Sequence, residues 1–221
     1  MSSLDLSRST VLESDGLKVC IFPNGGRALY AIGGEREARS LCSALGEGVS
    51  LVVIDGMDWE RDLSPWPAPR AFKSGSDFGG GADGLIEKLE RLVPLCEEVT
   101  GPQELRAIAG YSLAGLFALY CVYKTDMFAR AASVSGSLWF DGFTDFMAAN
   151  APHAERVYLS LGDREKHARS PRLGAVEDRT RLAAELLRAA GVEVVFEINS
   201  GGHFAGPSER LEKGVKALMA P

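Results

Sequence analysis

Residues 110–115 read Gly-Tyr-Ser-Leu-Ala-Gly and join two apolar runs of different length. The preceding run, 105–109, is short and typical of a buried strand, whereas the following run continues to residue 123, a length typical of a buried helix. A chain that passes from a strand directly into a helix must turn sharply, so the residues around the turn must be small. The stretch therefore predicts a strand–turn–helix unit with Ser112 at its tip.

The spacing of small residues around Ser112 is that of a nucleophile elbow with one substitution. The five-residue pattern G-x-S-x-G has glycine two places after the serine, where this chain has Ala114 and reaches Gly115 one place later. Alanine is the next smallest residue, so we interpret the stretch as the G-x-S-x-A variant. At the start of a helix, the helix dipole and the Leu113 N–H can stabilise a developing oxyanion. The alternative is a serine that caps a buried helix.

A serine hydroxyl is a weak nucleophile and needs a base. His203 lies in a glycine-rich segment, 201–204, between the last predicted strand and the last predicted helix. The other two histidines, His153 and His167, lie in polar stretches. We therefore predict His203 as the base.

A carboxylate is expected to orient the imidazole. Asp163 and Glu165 follow the predicted strand 157–161, which gives the chain order serine, acid, histidine. We favour Glu165 over Asp163, and a Ser–His dyad without an essential acid stays open.

A second oxyanion donor is expected from the loop that follows an early strand. The N–H groups of Gly34 and Glu35 are the candidates, because both follow the apolar run 28–32. A plain turn at this position is an equal alternative.

Strand-like runs alternate with helical patterns along the chain. The strands are expected at 17–22, 28–32, 49–54, 105–109, 131–134, 157–161 and 192–198. Such alternation predicts an α/β fold with a mostly parallel central sheet and helices on both faces. Residues 55–84 lack periodicity and are expected to form a long functional loop. A length of 221 residues suits one domain, 1–221.

Composition excludes several function classes. The net charge of −6 without a basic stripe argues against nucleic acid as a partner. We found no signal peptide and no run of about 20 apolar residues, so no membrane partner is expected. The scattered cysteines are typical of buried thiols in a cytoplasmic protein. Histidines and cysteines lack metal-ligand spacing, and the glycine-rich stretch 78–83 lacks a P-loop lysine, so no metal or cofactor is predicted. Oligomeric state leaves no signal in the sequence.

Four segments together resemble the esterase group of the α/β-hydrolases, which includes the enterochelin esterases and the esterase D type enzymes. The segments are 59–65, 110–115, 162–165 and 201–204. The resemblance covers the chain from about residue 17 to its end. It implies an α/β-hydrolase fold, and the short segment between 136 and 157 leaves no room for a large lid.

The resemblance also implies roles for individual residues. Ser112 would be the nucleophile, His203 the base and Glu165 the carboxylate partner, while Arg61 would line the substrate side. Aromatic side chains of the long loop and of the segment after strand 131–134 are expected to form a pocket wall, or to cover the end of the sheet. Those in the predicted site are Trp59, Trp66 and Trp139.

The sequence therefore predicts a serine carboxylic-ester hydrolase that acts on a small-molecule ester through an acyl-enzyme. The resemblance also points to a siderophore trilactone as a candidate substrate. The alternatives are an acyltransferase or thioesterase on the same fold, or a hydrolase-like binding module without activity.

Overall fold

The computed structural model describes residues 9–72 and 75–220. The strands are β1 (Thr10–Ser14), β2 (Leu17–Phe22), β3 (Arg27–Ile32), β4 (Val49–Asp55), β5 (Pro67–Ala68), β6 (Phe78–Gly79), β7 (Leu105–Tyr111), β8 (Arg130–Val134), β9 (Arg156–Gly162) and β10 (Glu193–Asn199). The helices are α1 (Glu35–Ala44), α2 (Trp59–Asp62), α3 (Ala82–Thr100), α4 (Leu113–Lys124), α5 (Phe143–Ala149), α6 (Pro171–Gly174), α7 (Val176–Ala189) and α8 (Pro207–Met219).

Eight strands form one sheet in the order β1-β2-β4-β3-β7-β8-β9-β10. The six strands from β4 to β10 in this order run parallel, while β1 and β2 pair antiparallel at one edge. The central strands are buried on both faces, which explains their nearly unbroken apolar runs. The prediction of a mostly parallel sheet is confirmed.

Helices cover both faces of this sheet, as predicted. α1 and α8 pack on one face, and α3, α4 and α7 pack on the other. α4 is buried along nearly its whole length, because β7 and β8 lie under it and α3 and α5 lie around it. The segment between β8 and β9 contains one short helix, α5.

The stretch 55–84 is more structured than the sequence predicts. It contains the single turn of α2 and the two-residue strands β5 and β6, which pair with each other. Elements this short carry too few residues for hydrophobic periodicity to show. The edge strand β1 is also absent from the prediction, because most of its side chains are exposed.

The parallel topology brings several loops to one edge of the sheet. The carboxyl ends of β7, β8 and β9 lead to Ser112, Ser135 and Glu165, and the end of β10 leads to His203. Residues far apart in sequence therefore meet there, as ligand-binding residues do in parallel sheets. Within residues 9–72 and 75–220, no helix is both long enough and apolar enough to cross a membrane.

Arginines at the opposite edge hold the last helix in place. Arg27, Arg130 and Arg156 stand at the first positions of three parallel strands. Their guanidinium groups donate to backbone carbonyls at the end of α8, at residues 218–220, over 2.7–3.0 Å. These carbonyls have no partner within the helix, so positive charge there stabilises the helix end.

This contact predicts a loss of stability in Arg130→Met. Arg130 donates to the carbonyls of both Leu218 and Ala220, so its removal leaves the Leu218 carbonyl without this donor and the Ala220 carbonyl with Arg156 alone. We expect the free energy of unfolding to fall by about 2 kcal/mol, measured by urea denaturation. The control is Arg39→Met, which removes an exposed ion pair with Glu35 and should leave the midpoint unchanged. Equal midpoints for Arg130→Met and the wild type would contradict the assignment.

Candidate active site

The turn at Ser112 is strained, and its neighbours hold it. Ser112 has φ 60° and ψ −121°, a conformation that L-residues rarely adopt. Its N–H donates to the Val134 carbonyl, and its own carbonyl accepts from Leu116 and Ser137. The surrounding backbone therefore fixes the serine, and its side chain stands at the start of α4.

The small residues of this turn are required by close backbone approach. A Cβ at position 110 would lie 2.3 Å from the Ala114 carbonyl group. A Cβ at position 115 would lie 3.0 Å from the Gly110 oxygen and 3.2 Å from Gly136. Position 114 already carries its methyl group in a fully buried place. The structure thus accounts for alanine at 114 and glycine at 115.

Three side chains form a hydrogen-bonded line at the edge of the sheet. The Ser112 Oγ lies 3.0 Å from the His203 Nε2, and the His203 Nδ1 lies 2.8 Å from the Glu165 Oε2. Glu165 lies in a 3₁₀ turn (Glu165–His167) directly after β9, and His203 lies in the loop before α8. An ionised carboxylate only accepts hydrogen bonds, so Nδ1 carries the imidazole proton and Nε2 faces the serine as an acceptor.

Glu165 is buried and ionised. Burial by itself raises the pKa of Glu165, but hydrogen bonds from His203 and from the Gly162 N–H outweigh it and hold the pKa below its usual value. The Gly162 N–H donates to Oε1 over 2.7 Å, which leaves Oε2 for the imidazole. The Tyr111 hydroxyl donates to the His203 carbonyl and so helps to hold the loop that carries His203.

Asp163 does not meet the imidazole. Its side chain is exposed, and its Oδ1 accepts from the Gly201 N–H over 2.8 Å. This contact ties the loop after β9 to the loop after β10. Of the two carboxylates that the sequence left as candidates, the structure brings Glu165 to His203.

The predicted oxyanion donors are only partly available. Leu113 is the first residue of α4, where N–H groups have no partner inside the helix. The Gly34 N–H already donates to the Glu37 carboxylate over 3.0 Å. Gly34 borders a cavity of about 280 Å³ together with Ser112 and Tyr111. Glu35 lies at the first position of α1, and its carboxylate pairs with Arg39.

Two of the predicted aromatic residues border Ser112. Trp59 lines the cavity beside Gly34, here called the polar cavity because Arg36, Glu37 and Asp55 border it, and Trp139 lines an apolar cavity of about 170 Å³ that also borders Ser112. The apolar cavity reaches His203 and is bounded mainly by side chains from four segments. These are Phe72, Trp139, Leu173, Val176 and Phe204. Phe204 is 85% exposed and stands edge-on to the imidazole, so the rim is open.

Trp66 and Arg61 do not line the described cavities that border Ser112. The Trp66 ring packs on Phe140 and Phe146, and its Nε1 donates to the Asp141 carbonyl. The Arg61 guanidinium makes two hydrogen bonds to Asp62. The polar groups of both side chains are therefore bound by local partners.

Sequence reasoning missed two polar residues beside the line. The Ser137 Oγ lies 3.4 Å from the Ser112 Oγ, and the buried Arg210 lies 3.2 Å from the Glu165 Oε1. Serine after a strand carries no signal. Arg210 was detectable, because it precedes Gly214 and Leu218 by one and two helical turns on the apolar stripe of α8. Among residues 9–72 and 75–220, no cluster of His, Cys, Asp or Glu is arranged to bind a metal ion.

The sheet, its covering helices and the strand–serine–helix turn define the α/β-hydrolase fold. Residues 28–205 match the family described as "Putative esterase", and the chain belongs to that family. The protein is accordingly an enzyme of the carboxylic ester hydrolase class. Comparison with curated protein sequences gives no match.

Solved structures share this fold at low sequence identity. An IroE-like serine hydrolase from Shewanella oneidensis gives a TM-score of 0.76 at 16% identity, covering 95% of this chain and 79% of that one. The siderophore hydrolase EstB from Aspergillus nidulans gives 0.72 at 19%, covering 95% and 93%. The enterobactin esterase FES from Shigella flexneri gives 0.72 at 21%, and this chain spans 57% of its length. Similarity at this level shows the fold alone.

The close approach at the turn predicts opposite effects of two glycine substitutions. Gly110→Ala should prevent folding or lower the free energy of unfolding by at least about 4 kcal/mol, because backbone rather than a movable side chain blocks the methyl group. Gly84→Ala, at an exposed and open position of α3, should raise it by about 0.5–1 kcal/mol. Thermal and urea unfolding of both variants measure this. A stable Gly110→Ala protein would disprove the packing argument.

Proposed function

We propose that the protein hydrolyses a carboxylic ester through an acyl-enzyme on Ser112. The observation that carries this proposal is the line of hydrogen bonds from the Ser112 Oγ through His203 to Glu165. Geometry of this kind lets a histidine take a serine proton while a carboxylate stabilises the resulting imidazolium. Membership in an esterase family supports the same chemistry.

In the first step, the His203 Nε2 accepts the hydroxyl proton of Ser112 as Oγ bonds to the ester carbonyl carbon. The carbonyl oxygen becomes an oxyanion, and the Leu113 N–H donates to it. Gly34 and Glu35 supply the candidates for the second donor. The Gly34 N–H now donates to the Glu37 carboxylate, so that carboxylate must move away before the N–H can donate to an oxyanion. The present contact with a carboxylate oxygen supports this N–H as a donor that an oxyanion could use once Glu37 moves aside.

Collapse of this intermediate breaks the bond to the alcohol oxygen, which takes the proton from His203. Water then enters, loses a proton to His203 and bonds to the acyl carbon. Release of the acid returns the proton to the Ser112 Oγ, so protons balance over the cycle. Glu165 stays ionised throughout, since its role is to orient and stabilise the imidazolium.

The cavities support an ester with two dissimilar halves. The apolar cavity reaches His203, which must protonate the leaving alcohol, so the alcohol half belongs in that cavity. The polar cavity is bordered by Arg36, Glu37 and Asp55, and the carbonyl side of the substrate faces it. Trp139 and Phe72 offer flat apolar surface to the alcohol half.

A siderophore ester is the second, finer candidate. Structural neighbours are named as siderophore hydrolases and as an enterobactin esterase. Enterobactin and p-nitrophenyl esters assayed side by side distinguish a siderophore trilactone hydrolase from a general esterase. Transfer to an added alcohol or thiol, followed by product analysis, separates acyl transfer or thioester chemistry from hydrolysis.

Labelling with a fluorophosphonate tests the nucleophile. We expect one adduct on the peptide that carries Ser112, located by mass spectrometry, and its loss in His203→Ala. Ser112→Ala should keep the fold by circular dichroism and lower kcat by about 10⁴-fold or more. Ser137→Ala is the matched control, since it removes the neighbouring hydroxyl and should keep the adduct. Turnover by Ser112→Ala close to that of the wild type would refute the mechanism.

Substitution of Glu165 should lower kcat far more than substitution of Asp163. Glu165→Gln should lower kcat by about 10³–10⁴-fold, because an amide cannot stabilise the imidazolium as a carboxylate does. Asp163→Asn removes a charge two residues away and should lower kcat by less than about 5-fold, since the amide oxygen still accepts from Gly201. Steady-state kinetics with p-nitrophenyl acetate measure both. The reverse order of effects would assign the acid role to Asp163.

A further inference from the structure

Arg210 is a buried cation directly behind Glu165. It lies on the buried face of α8, and its side chain and that of Glu165 are each 5% exposed. Burial of a guanidinium is costly unless its charge is paired and its donors are bound. Such a residue therefore has a specific local reason to be there.

The contacts of Arg210 converge on the loops that carry the catalytic line. Its Nη1 donates to the Glu165 Oε1 over 3.2 Å and to the Ser135 Oγ over 3.1 Å. Its Nη2 donates to the Ser200 carbonyl over 2.8 Å, three residues before His203. One guanidinium thus joins the loops after β8, β9 and β10, each of which borders the site.

The arrangement divides the two carboxylate oxygens between two tasks. Oε1 accepts from Gly162 and Arg210, while Oε2 accepts from His203. Among the described residues, two side chains make ion-pair contact with Glu165, those of Arg210 and His203. The positive charge of Arg210 therefore opposes the gain of a second positive charge on the imidazole beside it.

We propose that Arg210 is a positioning residue that acts through Glu165, holding the carboxylate toward His203 and setting the lower pH limit of activity. This inference rests on the proposed function and adds a residue to it. Arg210 does not touch the Ser112 Oγ or the substrate cavities in the described contacts, so its influence passes through the carboxylate.

Other ionisable groups near the Glu165–His203 pair are few. Tyr111, at the end of β7, stays neutral because burial raises its pKa. Asp163 bonds to the backbone on the exposed side of the loop, and Lys166 pairs with Glu177 of α7. Arg210 is thus the cation of α8 that faces the pair directly.

Removal of the Arg210 charge should move the acid limb of the kcat/KM profile upward. Without that charge, the coupled Glu165–His203 pair takes up a proton more easily, whichever of the two groups carries it. The unprotonated imidazole that activity requires is therefore lost at a higher pH. In Arg210→Gln, which keeps hydrogen-bonding capacity without the charge, we expect a shift of about 1 pH unit. The assay is hydrolysis of p-nitrophenyl acetate between pH 4 and pH 9.

Two further variants separate charge from structure. Arg210→Lys keeps the positive charge but loses the planar guanidinium, which donates to three partners. We expect the plateau value of kcat to fall, while the acid limb stays within about 0.3 pH unit of that of the wild type. Lys213→Met removes a cation from the same helix that pairs with Glu197 outside the site, and should leave the limb unmoved. Circular dichroism verifies the fold of each variant.

An acid limb in folded Arg210→Gln that coincides with that of the wild type would overturn the proposal and leave Arg210 a purely structural residue. If Arg210→Gln does not fold, Arg210→Lys still tests the proposal, because an acid limb that moves by more than about 0.3 pH unit in that variant contradicts the role of the charge. Failure of the proposed function is recognised separately: the wild type would then show neither hydrolysis nor a fluorophosphonate adduct, and the inference would fall with it.

Discussion

The backbone at Ser112, held at φ 60° and ψ −121°, is the constraint on which the site depends. A residue in such a conformation costs on the order of 1–3 kcal/mol, so surrounding contacts must enforce it. Here the enforcement comes from β8, whose Val134 carbonyl accepts from the serine N–H, and from Ser137, which donates back to the serine carbonyl. The same contacts require backbone approach too close for side chains, which is why glycine is found on both sides of the elbow.

A second constraint is electrostatic and lies behind the first. Glu165 is buried, and a buried carboxylate is tolerated only with several donors. Its donors come from its own loop, from the loop after β10 and from α8. The last helix therefore contributes to the site although no residue of α8 borders Ser112. At its far end α8 is held by arginines of β3, β8 and β9, so both ends of the helix are fixed by charge.

The sequence was sufficient for features that depend on local pattern. Buried parallel strands leave continuous apolar runs, and the abrupt change at Ser112 marks the elbow without knowledge of the fold. It was insufficient where two residues share one local pattern. Asp163 and Glu165 both follow β9, and only the turn of the chain after Gly162 decides which carboxylate meets His203. The resemblance implied that Arg61 lines the substrate side, and Trp66 was expected either in a pocket wall or over the end of the sheet. Their polar groups bind Asp62 and the Asp141 carbonyl, partners that neither motif nor composition reveals.

The surroundings of Ser112 differ on its two sides, and this has a consequence for specificity. Phe72, Trp139 and Phe204 line the cavity that reaches His203, whereas Arg36, Glu37 and Asp55 line, together with Trp59, the cavity that reaches Gly34. On the proposed mechanism, the leaving alcohol must lie near His203 and the carbonyl oxygen near the start of α4. The two halves of an ester then meet residues from different loops, the alcohol half chiefly Trp139 and its neighbours. Changes in the aromatic wall can therefore alter the preferred alcohol while the hydrogen-bonded line that performs the chemistry stays in place.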